Sequence, residues 1–297
     1  MVIIMKNILN YYYEIIVDDH NINNGYFSYN NHLFYLCEYK RNTNEIEAIF
    51  YLNQLMLMRN IPINRIISNN FNQVITNYNN KNYVLLEINY KCDSLDNVSF
   101  INSFNDKKID ILKRNNWGYL WKMKVDYIEY QIKHIENSYP IINESINYYI
   151  GLAINAISYF NKLDLSNLPL YIEHRRIEKD DIYNPLELVI DYKVRDVAEY
   201  IKNSFFSKKM TLLEIIEYIE KVKLNNMEYL LLYVRLLYPS YYFDIYEEII
   251  NNGENENKLL GIIKLFSLYE KVLYEVYLYI KNKTNIIGLE WINQKFN

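Results

Sequence analysis

The feature that most constrains this chain is a change of periodicity near Asn89. Before it, short aromatic and β-branched runs alternate with turn residues. After it, apolar residues recur at helical spacing almost to the end. In the first part, Tyr11–Val17 reads as a strand and Asp18–Gly25 as a turn cluster. Tyr26–Ser28 and His32–Tyr39 read as a hairpin across Asn30-Asn31. Thr43 is placed to cap a helix carrying Ile46, Ile49, Phe50, Leu52, Leu55, Met56 and Met58, which ends near Arg59 before Pro62. Arg65–Ser68, Gln73–Tyr78 and Tyr83–Ile88 add strands, with Asn79–Asn82 as a second hairpin turn. The pattern predicts a small antiparallel sheet with one helix inserted after the third strand.

The second part predicts helices over 109–137 (with a break near Trp117-Gly118), 143–161, 194–203, 211–222, 227–238, 241–251 and 258–282, then a short tail helix. Thr211 and Glu214 have capping-box spacing, and Pro239 ends one helix and opens the next. Apolar residues lie on several faces of 259–280, which marks a buried helix. The fold class that follows is α+β, in two parts, 1–90 and 91–297, joined by a hinge near Asn89–Asp93.

Composition narrows the function. A net charge of −4 excludes a dedicated nucleic-acid binder, which carries a basic surface. Cys37 and Cys92 are the only cysteines, too few for a disulfide framework, so a reducing cytoplasm is expected. Lys6 and Asn7 interrupt the apolar start of the chain, a poor signal peptide, and no run approaches the roughly 18 apolar residues of a membrane span. The six glycines (25, 118, 151, 253, 261 and 288) are scattered. A Walker loop, a dinucleotide fingerprint and a kinase-type glycine-rich loop are therefore all absent, since close backbone approach to phosphate needs clustered residues without Cβ. His20, His32, His134 and His174 show no metal-ligand spacing.

One stretch concentrates groups capable of chemistry: Tyr171–Phe206, with His174, Arg175, Arg176, Asp191, Arg195 and Asp196. Within it the β-like run Leu186–Ile190 ends on an acid, a usual way to present a carboxylate at a sheet edge. The plainer reading is a loop, a strand and a capped helix whose charges are paired for structure.

A β-rich lobe with one helix, a hinge and a helical lobe is the kinase-like plan. The segment IEHRRI…NPLELVIDYKVRDVAEYIK resembles the catalytic segment of the aminoglycoside phosphotransferase/choline kinase superfamily. The runs NNWGYLWKMKVDYIEYQI and YVRLLYPSYYFDIYEEI resemble signature helices of its spore-coat-associated CotS/YutH-like branch. The likeness spans nearly the whole chain and is strongest over 117–249. It implies a two-lobed kinase-like fold.

Residue by residue, His174 matches the histidine opening the His-Gly-Asp catalytic loop, and Arg176 stands where the catalytic aspartate should be. A guanidinium cannot accept a proton. Asp191 matches the metal-binding aspartate and Asp196 the aspartate that ties the loop down, while Asn184 is the nearest match to the loop asparagine. The nucleotide-contacting lysine has no match inside 32–39. Lys40 lies just beyond, with Glu45 or Glu47 as its partner.

The resemblance thus implies a degenerate phosphotransferase, a pseudokinase with a structural or interaction role in sporulation, deposited at the spore coat with protein partners. No nucleotide cofactor is then expected. The alternative is an active ATP- and magnesium-dependent small-molecule kinase using Asp180, Asp181 or Asp191 as an unorthodox base. A third reading is a helical scaffold in which Arg175 and Arg176 pair with Glu173, Glu178, Asp191 or Asp196.

Overall fold

A computed structural model describes residues 2–18, 22–92, 101–135, 138–177 and 181–296. His20, Asp93, Asn137, Glu178 and Asp180 lie outside them. The chain divides into two compact units, Met1–Lys113 with His174–Ile190, and Arg114–Glu173 with Asp191–Asn297. The sequence reading made a single cut near residue 90, whereas the contacts divide the chain at three points.

In the first unit the N-terminal segment is helix α1 (Val2–Tyr13), not the strand expected over 11–17. The aromatic run Tyr11–Tyr13 suggested a strand, but the longer period decides: Met5, Ile8, Leu9 and Tyr13 bury one helical face against Phe27, Leu36 and Leu85. Glu14 then takes a left-handed conformation (φ 55°), and the Ile15 N–H donates to Leu9 O at 3.1 Å, turning the chain off the helix end.

Five strands follow: β1 (Tyr26–Tyr29), β2 (His32–Glu38), β3 (Arg65–Ile67), β4 (Thr76–Tyr78) and β5 (Lys81–Glu87). They form an antiparallel sheet of order β1-β2-β5-β3, with β4 also on β5. Both hairpins close on two asparagines with positive φ, Asn30-Asn31 (48° and 64°) and Asn79-Asn80 (51° and 60°), as two-residue turns of the twisted hairpin type require. The second turn is therefore shorter than the four residues read from the sequence.

Helix α2 (Ile46–Met58) follows the second strand rather than the third, because the first expected strand is helical. A 3₁₀ turn, Thr43–Glu45, precedes it, and the cap is Asn42, whose side chain accepts from the Asn44 N–H, in place of Thr43. Buried Asn53 ties α2 to β3: its amide donates to Asn64 O at 2.8 Å and accepts from the Ile66 N–H at 3.1 Å. The remaining strands are β6 (Ile101–Asn102), β7 (Tyr171–His174) and β8 (Leu188–Asp191).

In the second unit, α3 (Trp117–Ile135) starts at the expected break, after a separate 3₁₀ stretch at Lys107–Leu112. It is followed by α4 (Pro140–Phe160), α5 (Val194–Phe206), α6 (Leu212–Val222), α7 (Asn226–Leu237), α8 (Ser240–Asn252), α9 (Leu259–Lys281) and α10 (Glu290–Phe296). Helices α4 and α5 both pack on α7, and α3 packs on α4. A Cβ at Gly118 would lie 2.2 Å from Asn161 Oδ1, so glycine is what lets α3 approach the end of α4. The Thr211–Glu214 capping box forms as expected, and a second one, Asn225–Glu228, starts α7. Helix α9 buries Leu259, Ile262, Phe266, Tyr269, Leu273, Val276 and Ile280 along its length, as its apolar pattern predicts.

Candidate functional site

The stretch 171–206 is shared by the two units, and each arm is built separately. In the first unit, His174 ends β7 with its ring buried, and its Nε2 lies 3.0 Å from Ile182 O. The following backbone is held by the Arg175 N–H, which donates to Glu187 O at 2.8 Å. Asn184 caps the 3₁₀ turn Pro185–Glu187 through its side-chain oxygen. The Arg175 and Arg176 side chains are exposed, and the Arg176 guanidinium donates to Arg175 O at 2.9 Å.

Lys40 and Glu47 are both exposed, and the cation that meets the helix carboxylate is Arg41. Its side chain is only 5% exposed and pairs with Glu45, with Nε 2.9 Å from Oε2. The same guanidinium donates to Leu186 O at 2.7 Å and Leu188 O at 2.9 Å, fixing the backbone around the start of β8. Sequence reasoning missed Arg41 because it was searching for a lysine inside the strand. The signal it could have used is the i,i+4 spacing of Arg41 and Glu45.

A cavity of about 540 Å³ opens in this unit. Tyr26 and Tyr35 line it, stacked at 4.3 Å and 15° across the β1–β2 ladder. Tyr90 and Tyr183, 5.5 Å apart, line it as well, with Asp181 and Asn184. The single glycine at this hairpin, Gly25, has φ 92°, and a Cβ there would lie 2.7 Å from Leu36 O.

In the second unit, Asp191 is fully buried and every described partner is a donor. Trp117 Nε1 lies 3.0 Å from each carboxylate oxygen, the Tyr192 N–H donates to Oδ1 at 2.8 Å, and Arg195 donates to Oδ2 at 2.7 Å. Burial pushes the Asp191 carboxyl up, against the opposing pull of Arg195 and Arg235. An acceptor ringed by donors is nevertheless in its ionised form.

The counter-ion is thus Arg195, four residues on, and not a residue of the 175–176 pair. Arg195, Glu199 and Lys202 form one buried stripe of α5, at i, i+4 and i+7. Glu199 accepts from Lys202 at 2.9 Å and from Arg235 at 3.1 and 2.9 Å. Lys202 also donates to Ser240 Oγ at 2.6 Å, and the Arg235 guanidinium lies 4.8 Å over the Trp117 ring. The sequence reading assigned none of Trp117, Glu199, Lys202 and Arg235 to the site. Only the stripe on α5 was discoverable there.

Asp196, in the first turn of α5, is buried, and its N–H donates to Glu173 Oε2 at 2.9 Å. Glu173 is wholly buried and its Oε1 has no hydrogen-bond partner. Burial first, then Asp196 and Asp191, holds its carboxyl well above the ordinary range.

These features define the class. The chain has the two-lobed, kinase-like α+β fold of the aminoglycoside phosphotransferases. Its fold is similar to that of an aminoglycoside phosphotransferase from Alicyclobacillus acidocaldarius (TM-score 0.57, 10% identity, 86% of this chain and 90% of that one). It is also similar to a spectinomycin phosphotransferase solved with ADP and spectinomycin (TM-score 0.55, 12% identity, 93% and 97%). Over residues 6–276 the chain matches the family described as "Spore coat putative kinase YutH", and it belongs to that family. It is 30% identical over 162 residues to the endospore coat-associated protein YutH of Bacillus subtilis (strain 168), across 47% of this chain. That match spans 48% of the relative's length.

A magnesium ion on Asp191 does not fit the donor set described. Magnesium needs free oxygen lone pairs, whereas these oxygens face an indole N–H, a backbone N–H and a guanidinium. Among the described residues no three His, Cys, Asp or Glu side chains group to hold a metal ion, and no helix is long and apolar enough to cross a membrane.

Proposed function

We propose that this chain is a pseudokinase, a phosphotransferase-like fold kept for a structural or interaction role in the spore coat. The observation that carries this reading is the carboxylate of Asp191, neutralised by Arg195 from within the chain. A protein that handles nucleotide phosphates through a cation on this aspartate would need it open. Arg176, in the place of the base, supports the same reading, as does the stacked Tyr26-Tyr35 pair where a glycine-rich hairpin would lie. The spore-coat role rests on family membership.

The test is thermal stabilisation by ATP with and without magnesium, combined with a transfer assay on small alcohols. A ligand at a hundred times its Kd stabilises by about 2.7 kcal/mol, which melting resolves easily. The expected result is no magnesium-dependent shift and no transfer. A magnesium-dependent shift accompanied by phosphate transfer overturns the proposal.

The cavity favours a second reading, an active ATP-dependent small-molecule kinase with a non-standard base. Asp181 lines that cavity and is its best-placed carboxylate, whereas Asp191 is buried and engaged. If transfer is found and Asp181→Ala abolishes it, this reading stands. A nucleotide shift independent of magnesium, without transfer, leaves the pseudokinase reading with a retained ligand pocket.

A further inference from the structure

Helix α3 is apolar on two faces. One carries Trp117, Trp121, Val125 and Ile128, all buried. The other carries Tyr119 (60% exposed), Leu120 (40%), Met123 (53%), Tyr127 (49%) and Tyr130 (62%). At about 100° per residue these five side chains fall within one arc about 100° wide, opposite the buried face. Side chains of this size offer 150–250 Å² each, so the exposed stripe amounts to roughly 500 Å². That is at the upper end of what a monomer leaves uncovered.

The order of the stripe is close to palindromic about Val125. Leu120 on one side of that centre is matched by Tyr130 on the other, and Met123 by Tyr127, while Tyr119 falls opposite Gln131. We propose that this face is an isologous interface: α3 packs antiparallel on α3 of a second copy of this chain, about a two-fold axis near Val125. Met123 then meets the Tyr127 ring of the other copy, a favourable sulfur–aromatic contact, and Tyr130 covers Leu120.

The flanking charges agree with this register. Lys122, Asp126, Glu129 and Lys133 lie exposed along one edge of the stripe. In an antiparallel two-fold pair this edge faces itself, which brings Lys122 opposite Glu129 of the second copy. Lys122 is already turned along the edge, with Nζ 2.7 Å from Asp126 Oδ2. Two such stripes bury about 1,000 Å², the lower bound for a specific interface. The dimer is accordingly concentration-dependent. The edge also argues against a lipid surface, because helices that lie on membranes carry a Lys/Arg-rich polar face, and here two acids sit between two lysines.

The test is sedimentation of the 297-residue chain over a concentration series, with circular dichroism to verify folding of each variant. The wild type is expected to dimerise, and Met123→Glu to raise the dissociation constant roughly tenfold or more. Glu129→Lys should weaken the dimer, and Lys122→Glu combined with Glu129→Lys should restore it. A wild type that stays monomeric at every concentration overturns the proposal. So does a dimer indifferent to Met123→Glu, or a double variant no tighter than the single one. A monomer that instead co-sediments with anionic phospholipid vesicles, and loses this with Met123→Glu, assigns the face to lipid and likewise overturns it.

Discussion

The two arms of the stretch 171–206 treat their charges in opposite ways. On the first, Arg175 and Arg176 are exposed, and the backbone is held by the Arg175 N–H on Glu187 O and the Arg176 guanidinium on Arg175 O. On the second, Asp191, Arg195, Asp196, Glu199 and Lys202 are buried in a network that also takes in Arg235. Exposed charges contribute about 0–1 kcal/mol each. Breaking a buried pair costs about 3–5 kcal/mol, because an uncompensated charge is left behind. A substitution in the first arm therefore tests chemistry, and one in the second tests folding.

Asp191→Ala gives the largest effect and the strongest test of that contrast. It strands the Arg195 guanidinium in the interior and removes the acceptor of the Trp117 N–H. The expected loss is about 3–5 kcal/mol by urea denaturation. Asp191→Asn should lose less, since an amide oxygen still accepts from Trp117. A loss below about 1 kcal/mol for the alanine variant would show that water reaches this carboxylate, and the contrast between the arms would fail.

Glu173→Gln is smaller and depends on pH. The Glu173 carboxyl is held well above its ordinary value of 4.5 by burial and by Asp196 and Asp191. A raised carboxyl contributes stability at low pH, where it is protonated in both states. That contribution is lost as pH rises from the ordinary value towards the folded one, because only the unfolded chain releases the proton. Glutamine carries no such penalty. Its stability should match wild type near pH 4.5 and exceed it at pH 8, by an amount on the order of 1 kcal/mol or more. Equal stabilities at both pH values would show that the Glu173 carboxyl is not raised in the fold.

Much of this fold was legible because its local signals agree with one another. The asparagine hairpins, the Thr211–Glu214 box, the Pro239 break and the helical stripes each point to the element that forms. Tyr11–Tyr13 was misread because aromatic content is a weaker guide than the period of the whole segment from Val2 on. The site was legible only in part. His174, Asp191 and Asp196 stand out in one charge-rich stretch, and the family resemblance alone gives them roles. Their partners Trp117 and Arg235 are remote in sequence and meet Asp191 and Glu199 only after folding. Arg41 was hidden for a different reason: nothing in the local pattern says that its guanidinium will take the carbonyls of Leu186 and Leu188.

The smallest expected effect is that of Arg176→Asp, and it separates the two observations on which the proposed pseudokinase reading rests. The side chain is exposed, so stability should move by no more than about 0.5 kcal/mol. Chemically the substitution returns a carboxylate to the position where the family resemblance places the base. If the missing base were the only lesion, magnesium- and ATP-dependent transfer to a small alcohol would appear. The closed carboxylate of Asp191 predicts that it does not, because Arg195 still neutralises it within the chain. Transfer by Arg176→Asp, set against an inactive wild type at equal concentration, would place the proposed loss of activity in the exposed arm alone. Its absence keeps the buried arm as a second and independent barrier, one that no single surface substitution removes.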